Sequence, residues 1–114
     1  MTTQTPFARS IPLAAVSREA AAALIDAALA AAGELGIAAA VTDGTGSLRA
    51  SERTDGAVFL TTDVAIDKAW TAASYGYPTH VWNQYLADPK VAPLASHPRL
   101  LAVCGGYPIL EGAS

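Results

Sequence analysis

The first twelve residues are polar, hold two prolines and show no hydrophobic period, so the pattern predicts a flexible N-terminal arm over 1–12 and one domain over 13–114. Ser17 is placed to cap a helix, and Glu19 in the first turn suits the positive end of its dipole. From Arg18 to about Leu35, Leu24, Ile25, Ala28, Leu29 and Ala32 recur at the three- and four-residue spacings of one buried face, and Gly36 is expected just beyond the end. Ile37 to Thr42 then reads as a short buried strand. Asp43-Gly44-Thr45-Gly46 supplies a tight turn. From Ser47 to Arg53 the pattern alternates, Leu48 and Ala50 on one side and Arg49 and Ser51 on the other, which completes a hairpin.

Thr54-Asp55-Gly56 marks a second turn, and Val58-Phe59-Leu60 leads into a second helix capped by Thr61 or Thr62 and stopped near Tyr75 by Gly76 and Pro78. Ala65, Ala69, Ala72, Ala73 and Gly76 give that helix a stripe of small residues that permits close approach of another element. Thr79 opens a shorter helix through Val81, Trp82, Tyr85 and Leu86, and Asp88 to Pro98, with three prolines, reads as a surface loop. Leu100 to Cys104 is expected to be a buried strand, Gly105-Gly106 a turn, and Pro108 an edge position. Helix, hairpin, helix, short helix and strands in this order predict an α+β fold, an antiparallel sheet with helices packed on one face.

Composition narrows the function classes. At 114 residues with 52% apolar and 15% charged side chains, the chain can bury a core without metal or disulfide staples. A surface so poor in charge leaves apolar area for an interface, so a homo-oligomer is expected. A net charge of -3 with seven scattered Lys and Arg offers no footprint for nucleic acid. No apolar run approaches the roughly 20 residues of a bilayer span, so no membrane partner is expected. The first residues lack the basic and apolar segments of a signal peptide. The single cysteine allows no intrachain disulfide, and a cytoplasmic location follows as the expectation.

Five short motifs stand in a fixed order: Val41-Thr42-Asp43-Gly44-Thr45-Gly46, Arg53-Thr54-Asp55-Gly56-Ala57, Ile66-Asp67-Lys68-Ala69-Trp70-Thr71-Ala72-Ala73, Tyr77-Pro78-Thr79 and Gly105-Gly106-Tyr107-Pro108-Ile109. Together they resemble the GlcG/HbpS-like family of small haem-binding or haem-degrading domains, over about residues 13 to 112. The resemblance implies a profilin-like sheet of GlcG-like topology. It also implies a further strand after Gly-Gly-x-Pro-Ile, of the type Gly-Ala-Ile-Gly-Val-Ser-Gly, and a closing helix. The present chain is C-terminally short of both, which would leave a sheet edge open to another copy or a partner chain.

Arg53 and Asp55 sit at a strand end, where an arginine can grip a carboxylate or a haem propionate by a two-pronged hydrogen bond; the commoner case for such a pattern is a turn in which Asp55 bonds backbone amides and Arg53 is solvated. Lys68 lies beside the small-residue stripe, either as an anion-binding or Schiff-base amine or as a snorkelling lysine paired with Asp67 or Asp63. The resemblance makes Lys68 the first choice for a pocket residue, since Lys-Ala-x-Thr-Ala matches the family pattern. Tyr75, Tyr77, Thr79 and His80, with Trp82, crowd the link between the second and third helices, where they suit a flat ligand or plain packing. His80 is the candidate base or iron ligand; His97 reads as an exposed loop residue and Cys104 as a buried, inert thiol. Neither a metal-ligand cluster nor a phosphate loop stands out, because a strand follows the glycines of residues 42–46.

Three functions fit these residues. The first is a small-molecule-binding domain for a planar or carboxylate-bearing ligand, with haem as the cofactor that the resemblance suggests. The second is a cofactor-independent isomerase, lyase or cyclase using Lys68, His80 or a tyrosine as acid or base. The third is a structural subunit completed by a partner chain.

Overall fold

A computed structural model describes residues 8–110; most of the predicted N-terminal arm and the last four residues lie outside them. Residues 8–17 run to the first helix without regular structure and are almost all exposed. Helix α1, Arg18–Ala32, begins as predicted: Ser17 Oγ accepts the N–H of Ala20 at 3.1 Å. It ends three residues before the expected Leu35, because Gly33 already takes a positive φ of 61° and donates its N–H to Ala30 O at 3.3 Å. The buried stripe is also narrower than the five predicted positions. Ala21 and Ile25 are buried and Leu29 is half-buried, while Leu24 and Ala28 are exposed. The sheet beneath α1 has only two strands, so it covers one row of side chains four residues apart and no more.

Strands β1, Ala38–Thr42, and β2, Leu48–Arg53, pair antiparallel from Ala38 with Arg53 to Val41 with Ala50, and an irregularity then brings Thr42 opposite Leu48. Asp43 closes the turn: its Oδ1 accepts Thr45 N at 2.9 Å, Thr45 Oγ1 at 2.6 Å and Ser47 N at 3.1 Å. Ala21, Ile25 and Val41 form the core, with Val16, Leu29, Ala39 and Ala50 packed around it.

Helix α2, Leu60–Tyr75, starts without a side-chain cap; the Thr61 hydroxyl instead donates to Val58 O at 2.6 Å. It ends at Gly76, whose φ of 71° is left-handed. The helix lies on β1, where Thr42 Oγ1 reaches Ala69 O at 3.5 Å. At the hairpin turn a side chain on Gly46 would strike Trp70, whose Cδ1 is 2.8 Å from the position of its Cβ. Helix α3, Thr79–Tyr85, begins after Pro78 rather than being capped by Thr79, which is fully buried and bonded elsewhere.

The predicted strand Leu100–Cys104 does not form. The segment lies against α2 and α3, with no strand beside it, and side chains satisfy its backbone instead. Thr71 Oγ1 accepts Leu101 N at 2.9 Å and lies 2.8 Å from Asp67 O and 3.2 Å from Arg99 O, while Asn83 Nδ2 donates to Ala102 O at 3.0 Å. Cys104 is consequently exposed rather than buried. Pro108 is likewise outside any strand. Asp88 to Pro98 is a surface segment, as expected, holding one 3-10 turn over Ala92–Ser96. The fold is α+β, with three α-helices and a two-stranded antiparallel sheet among the described residues. Among the described residues no helix is long and apolar enough to cross a membrane.

Candidate functional site

The outer edge of β1 is the starting point. Thr54 N donates to Ile37 O and Asp43 N to Ser47 O, both at 2.9 Å. The alternation of an antiparallel pair therefore turns the backbone groups of residues 37, 39, 41 and 43 toward β2, and those of Ala38, Ala40 and Thr42 the other way. No backbone hydrogen bond from another described element reaches those three residues. Two of them, Ala40 and Thr42, line a cleft of about 920 Å³. Ala20, Ala23 and Leu24 of α1 form one wall, Ala69, Ala73 and Gly76 of α2 the other, and Tyr107 to Leu110 close one side. The small-residue stripe thus serves both purposes: Ala72 is buried and α2 lies close on β1, while Ala69, Ala73 and Gly76 line the cleft, into which Leu24 also looks. Among the described residues, Asp43 is the only charged side chain in the lining. The Thr45 hydroxyl, then the N–H groups of Thr45 and Ser47, hold its carboxyl below the usual value of 3.8, against a smaller opposing effect of desolvation.

Tyr107 is positioned by the Gly105–Gly106 turn. Thr79 N donates to Gly106 O and Gly106 N donates to Thr79 Oγ1, both at 2.9 Å, in a buried pair. A Cβ on Gly106 would stand 2.7 Å from Thr79 Cγ2 and 2.8 Å from Lys68 O, so only glycine fits. At Gly105 the position of a Cβ would lie 3.1 Å from Lys68 Nζ. The Lys68 amine therefore rests on this turn, and among the described residues it has no ion-pair partner. Asp67, one of the two acids that the snorkelling alternative offered it, instead binds Arg99 Nε at 3.1 Å. His80, exposed, faces Tyr107 with ring centroids 6.0 Å apart.

Three predicted site residues, Lys68, Thr79 and His80, thus meet around one glycine turn, Thr79 as the fastener. Tyr75 and Tyr77 stand elsewhere, around Trp82 at the junction of α2 and α3. Arg53 and Asp55 are exposed at the far end of the hairpin, and no hydrogen bond or ion pair among the described residues ties either to the other five. Thr54, not Asp55, organises that turn, through Thr54 N to Ile37 O at 2.9 Å and Ile37 N to Thr54 Oγ1 at 3.1 Å.

Two parts of the arrangement escape sequence reasoning. Tyr107 lines the cleft, and the doubled glycine before it was the signal that backbones approach closely there. Trp70 lies stacked on His97, centroids 5.1 Å apart, with the Arg99 guanidinium 4.9 Å from its ring centroid and Asp67 holding Arg99. That cluster clamps residues 97–99 to α2 and leaves His97 in a structural role.

The cleft can be tested against haem. Its volume and its alanine and glycine walls suit the flat tetrapyrrole, and the Lys68 amine on the Gly105 turn, outside the lining, suits an acid group at the rim. For iron, Tyr107 is the one lining residue of a kind that ligates haem among the described residues, and His80, whose ring centroid is 6.0 Å from that of Tyr107, lies outside the lining. No group of three or more His, Cys, Asp and Glu among the described residues is placed to hold a bare metal ion.

Comparison with known proteins places the chain. The profile of the HbpS-like family, described as haem degrading protein HbpS-like, matches residues 16–114. A crystal structure of HbpS superposes with a TM-score of 0.84 at 28% identity, covering 96% of this chain and 77% of HbpS. The Streptomyces reticuli HbpS double mutant, with two Glu-to-Asp changes, gives 0.83 at 28% identity over 99% and 80%. Klebsiella pneumoniae protein ORFY shares the fold at a TM-score of 0.77 and 20% identity, over 95% and 78%. No curated protein sequence matches the chain. The chain belongs to the HbpS-like family.

Proposed function

We propose that this HbpS-like chain binds a planar, acid-bearing small molecule in the cleft between α1 and α2, with its acid group toward Lys68. The observation that carries the reading is the cleft itself, about 920 Å³ with alanine and glycine in both helix walls and Tyr107 in its lining; outside the lining, His80 faces Tyr107 and the Lys68 amine lies on the preceding Gly105 turn. Haem is the ligand suggested by the family description; Tyr107 and His80 would hold its iron side and Lys68 a propionate. When bound, haem supplies redox-active iron. The chain's own residues do the rest. The small side chains admit the flat face and exclude water from it, and the Thr79–Gly106 pair fixes Tyr107. Lys68 orients the acid group by a charge-assisted hydrogen bond.

A second reading rests on the open edge of β1. The outward N–H and C=O groups of Ala38, Ala40 and Thr42 form a ready template for a strand from a second copy or a partner chain. A homo-oligomer built there would complete the sheet.

Hemin titration, read by the Soret band and by native mass spectrometry of the same sample, separates the two. The ligand reading expects a saturable Soret shift that Ala73→Trp abolishes by filling the cleft and Lys68→Ala weakens about tenfold. An Ala73→Trp protein that binds hemin as well as wild type sinks it. The edge reading expects an oligomer that ignores hemin and dissociates on Ala40→Pro, which removes an outward N–H without touching the pairing to β2.

A further inference from the structure

The outer edge of β1 is short, and what it asks of a partner strand is specific. Ala38, Ala40 and Thr42 turn three pairs of N–H and C=O groups away from β2, and no backbone hydrogen bond from another described element reaches them. Ala40 and Thr42 line the α1–α2 cleft, so a strand added along this edge lies with α1 on one side and α2 on the other. A matching strand has five residues, as β1 does, and apolar side chains to meet the alanine and glycine walls. It also has an N–H on each alternate residue that faces the edge.

Arg9-Ser10-Ile11-Pro12-Leu13 meets these conditions. The segment has no regular structure and forms no backbone–backbone hydrogen bond among the described residues, and Ile11 and Leu13 are 72% and 74% exposed. When extended, Arg9, Ile11 and Leu13 turn their backbone groups to one side, and Ser10 and Pro12 to the other. Pro12, which has no N–H, then faces away from the pairing. The opposite parity would set Pro12 against β1 and lose a bond. Antiparallel pairing brings Leu13 opposite Ala38, Ile11 opposite Ala40, and Arg9 opposite Thr42. Arg9 is the only charged residue of the five, and in this register it stands beside Asp43, the charged side chain of the cleft lining. The parallel register would hold the two charges at opposite ends of the strand.

The root of the arm is fixed, because Val16 packs on the core and the Ser17 side chain caps α1. Ala14 to Ser17 also line the cleft, so each arm starts at the mouth of a slot. Two copies with their clefts face to face can exchange arms about a two-fold axis, with Ala14 and Ala15 as the bridge. We propose that the strand completing the sheet is Arg9–Leu13 of a second copy, antiparallel to β1, with Arg9 beside Asp43. The proposal rests on the edge reading above and names its occupant.

Oxidation of the full chain carrying Cys104→Ser, Leu13→Cys and Ala38→Cys reads both the pairing and its source. The expected product is a disulfide-linked dimer on a non-reducing gel, absent from either chain with only one of the two introduced cysteines. Loss of both thiols at monomer mass overturns the proposal, because the arm would then pair with its own chain. Retention of both thiols overturns it as well. Sedimentation velocity separates the arm from the edge. Ile11→Asp with Leu13→Asp, both at exposed positions, should weaken self-association about a hundredfold or more, Arg9→Glu about fivefold, and Ala40→Pro should dissociate the copies. If Ala40→Pro dissociates them and the double Asp variant associates like wild type, the edge reading stands and the arm is overturned. Association indifferent to both, or a wild-type chain that stays monomeric at high micromolar concentration, sinks the edge reading and the arm together.

Discussion

α1 and the segment 97–106 are fastened to the rest of the molecule by opposite means. α1 meets the hairpin with carbon: Ala21 and Ile25 close over Val41, with Leu29, Ala39 and Ala50 around them. Segment 97–106 meets α2 and α3 with hydroxyls. Thr71 and Thr79, both completely buried, take the places that a neighbouring strand would fill and bond to Leu101, Arg99 and Gly106. The difference teaches how a chain manages a segment that finds no strand to pair with. Its backbone groups still need partners once buried, and a threonine on a helix can present one oxygen to several of them. A carbon contact depends on volume and bends to small changes. A hydroxyl contact depends on atom placement and does not.

The sharpest way to break the second fastening is Gly106→Ala. The added Cβ meets the backbone at Lys68 O and the methyl of Thr79, so one side of the buried pair must move. A loss of about 3 kcal/mol is expected by urea denaturation, together with a changed environment for Tyr107. An unperturbed midpoint would mean that the turn is looser than drawn.

A paired substitution measures the two fastenings against each other. Ile25→Ala should cost about 2–3 kcal/mol through lost burial and a residual cavity, while leaving the exchange rate of the Leu101 amide unchanged relative to global unfolding. Thr71→Val keeps the volume but strands the Leu101 N–H, and about 1–2 kcal/mol is expected, with the Leu101 amide exchanging faster than its neighbours on α1. Equal amide behaviour in the two variants would erase the distinction.

The smallest effect concerns pH at the hairpin turn. Asp43 has a folded pKa below its usual 3.8 because the carboxylate accepts three hydrogen bonds. A depressed folded pKa means that its contribution to stability is fully present above 3.8 and is lost as pH falls through the folded value. Asp43→Asn should remove that part of the acid dependence, seen as a flatter acid limb of the unfolding curve. An identical acid limb in both proteins would show that the turn does not depend on the charge.

Elements whose determinants lie close together along the chain were legible beforehand. The Ser17 cap and the Asp43-Gly44-Thr45-Gly46 turn are local signals, and α1, β1 and β2 follow from them; the expected placing of Leu48 and Ala50 on one side fails, because the irregularity in β2 sets them opposite the adjacent Thr42 and Val41. The helix stop near Tyr75 is legible for the same reason, since Gly76 has the freedom that its φ requires. Leu100 to Cys104 was misread because an apolar run states only that a segment will be covered, not by what. The cover turned out to be two helices, and Cys104 fell outside it. Of the seven candidate residues, Lys68, Thr79 and His80 come together because the Gly105–Gly106 turn folds back onto α2 and α3. Arg53 and Asp55 stay apart at the other end of the hairpin, and Tyr75 and Tyr77 stand around Trp82. Sequence spacing carries no information on which of these distant segments the turn would reach.

The sequence alone determined the helices, the hairpin, the small-residue stripe on α2 and, through five ordered motifs, the family. Each depends on neighbours a few residues away or on identity at fixed spacing. The tertiary structure decided that part of the stripe, Ala69, Ala73 and Gly76, lines an open cleft while Ala72 is buried. It also decided that threonine hydroxyls replace a strand ladder, and that the Trp82 indole N–H is buried without an acceptor among the described residues. Those outcomes depend on how backbone and side-chain groups from segments 25 to 30 residues apart compete for the same partners, and that competition is settled only when the chain is folded.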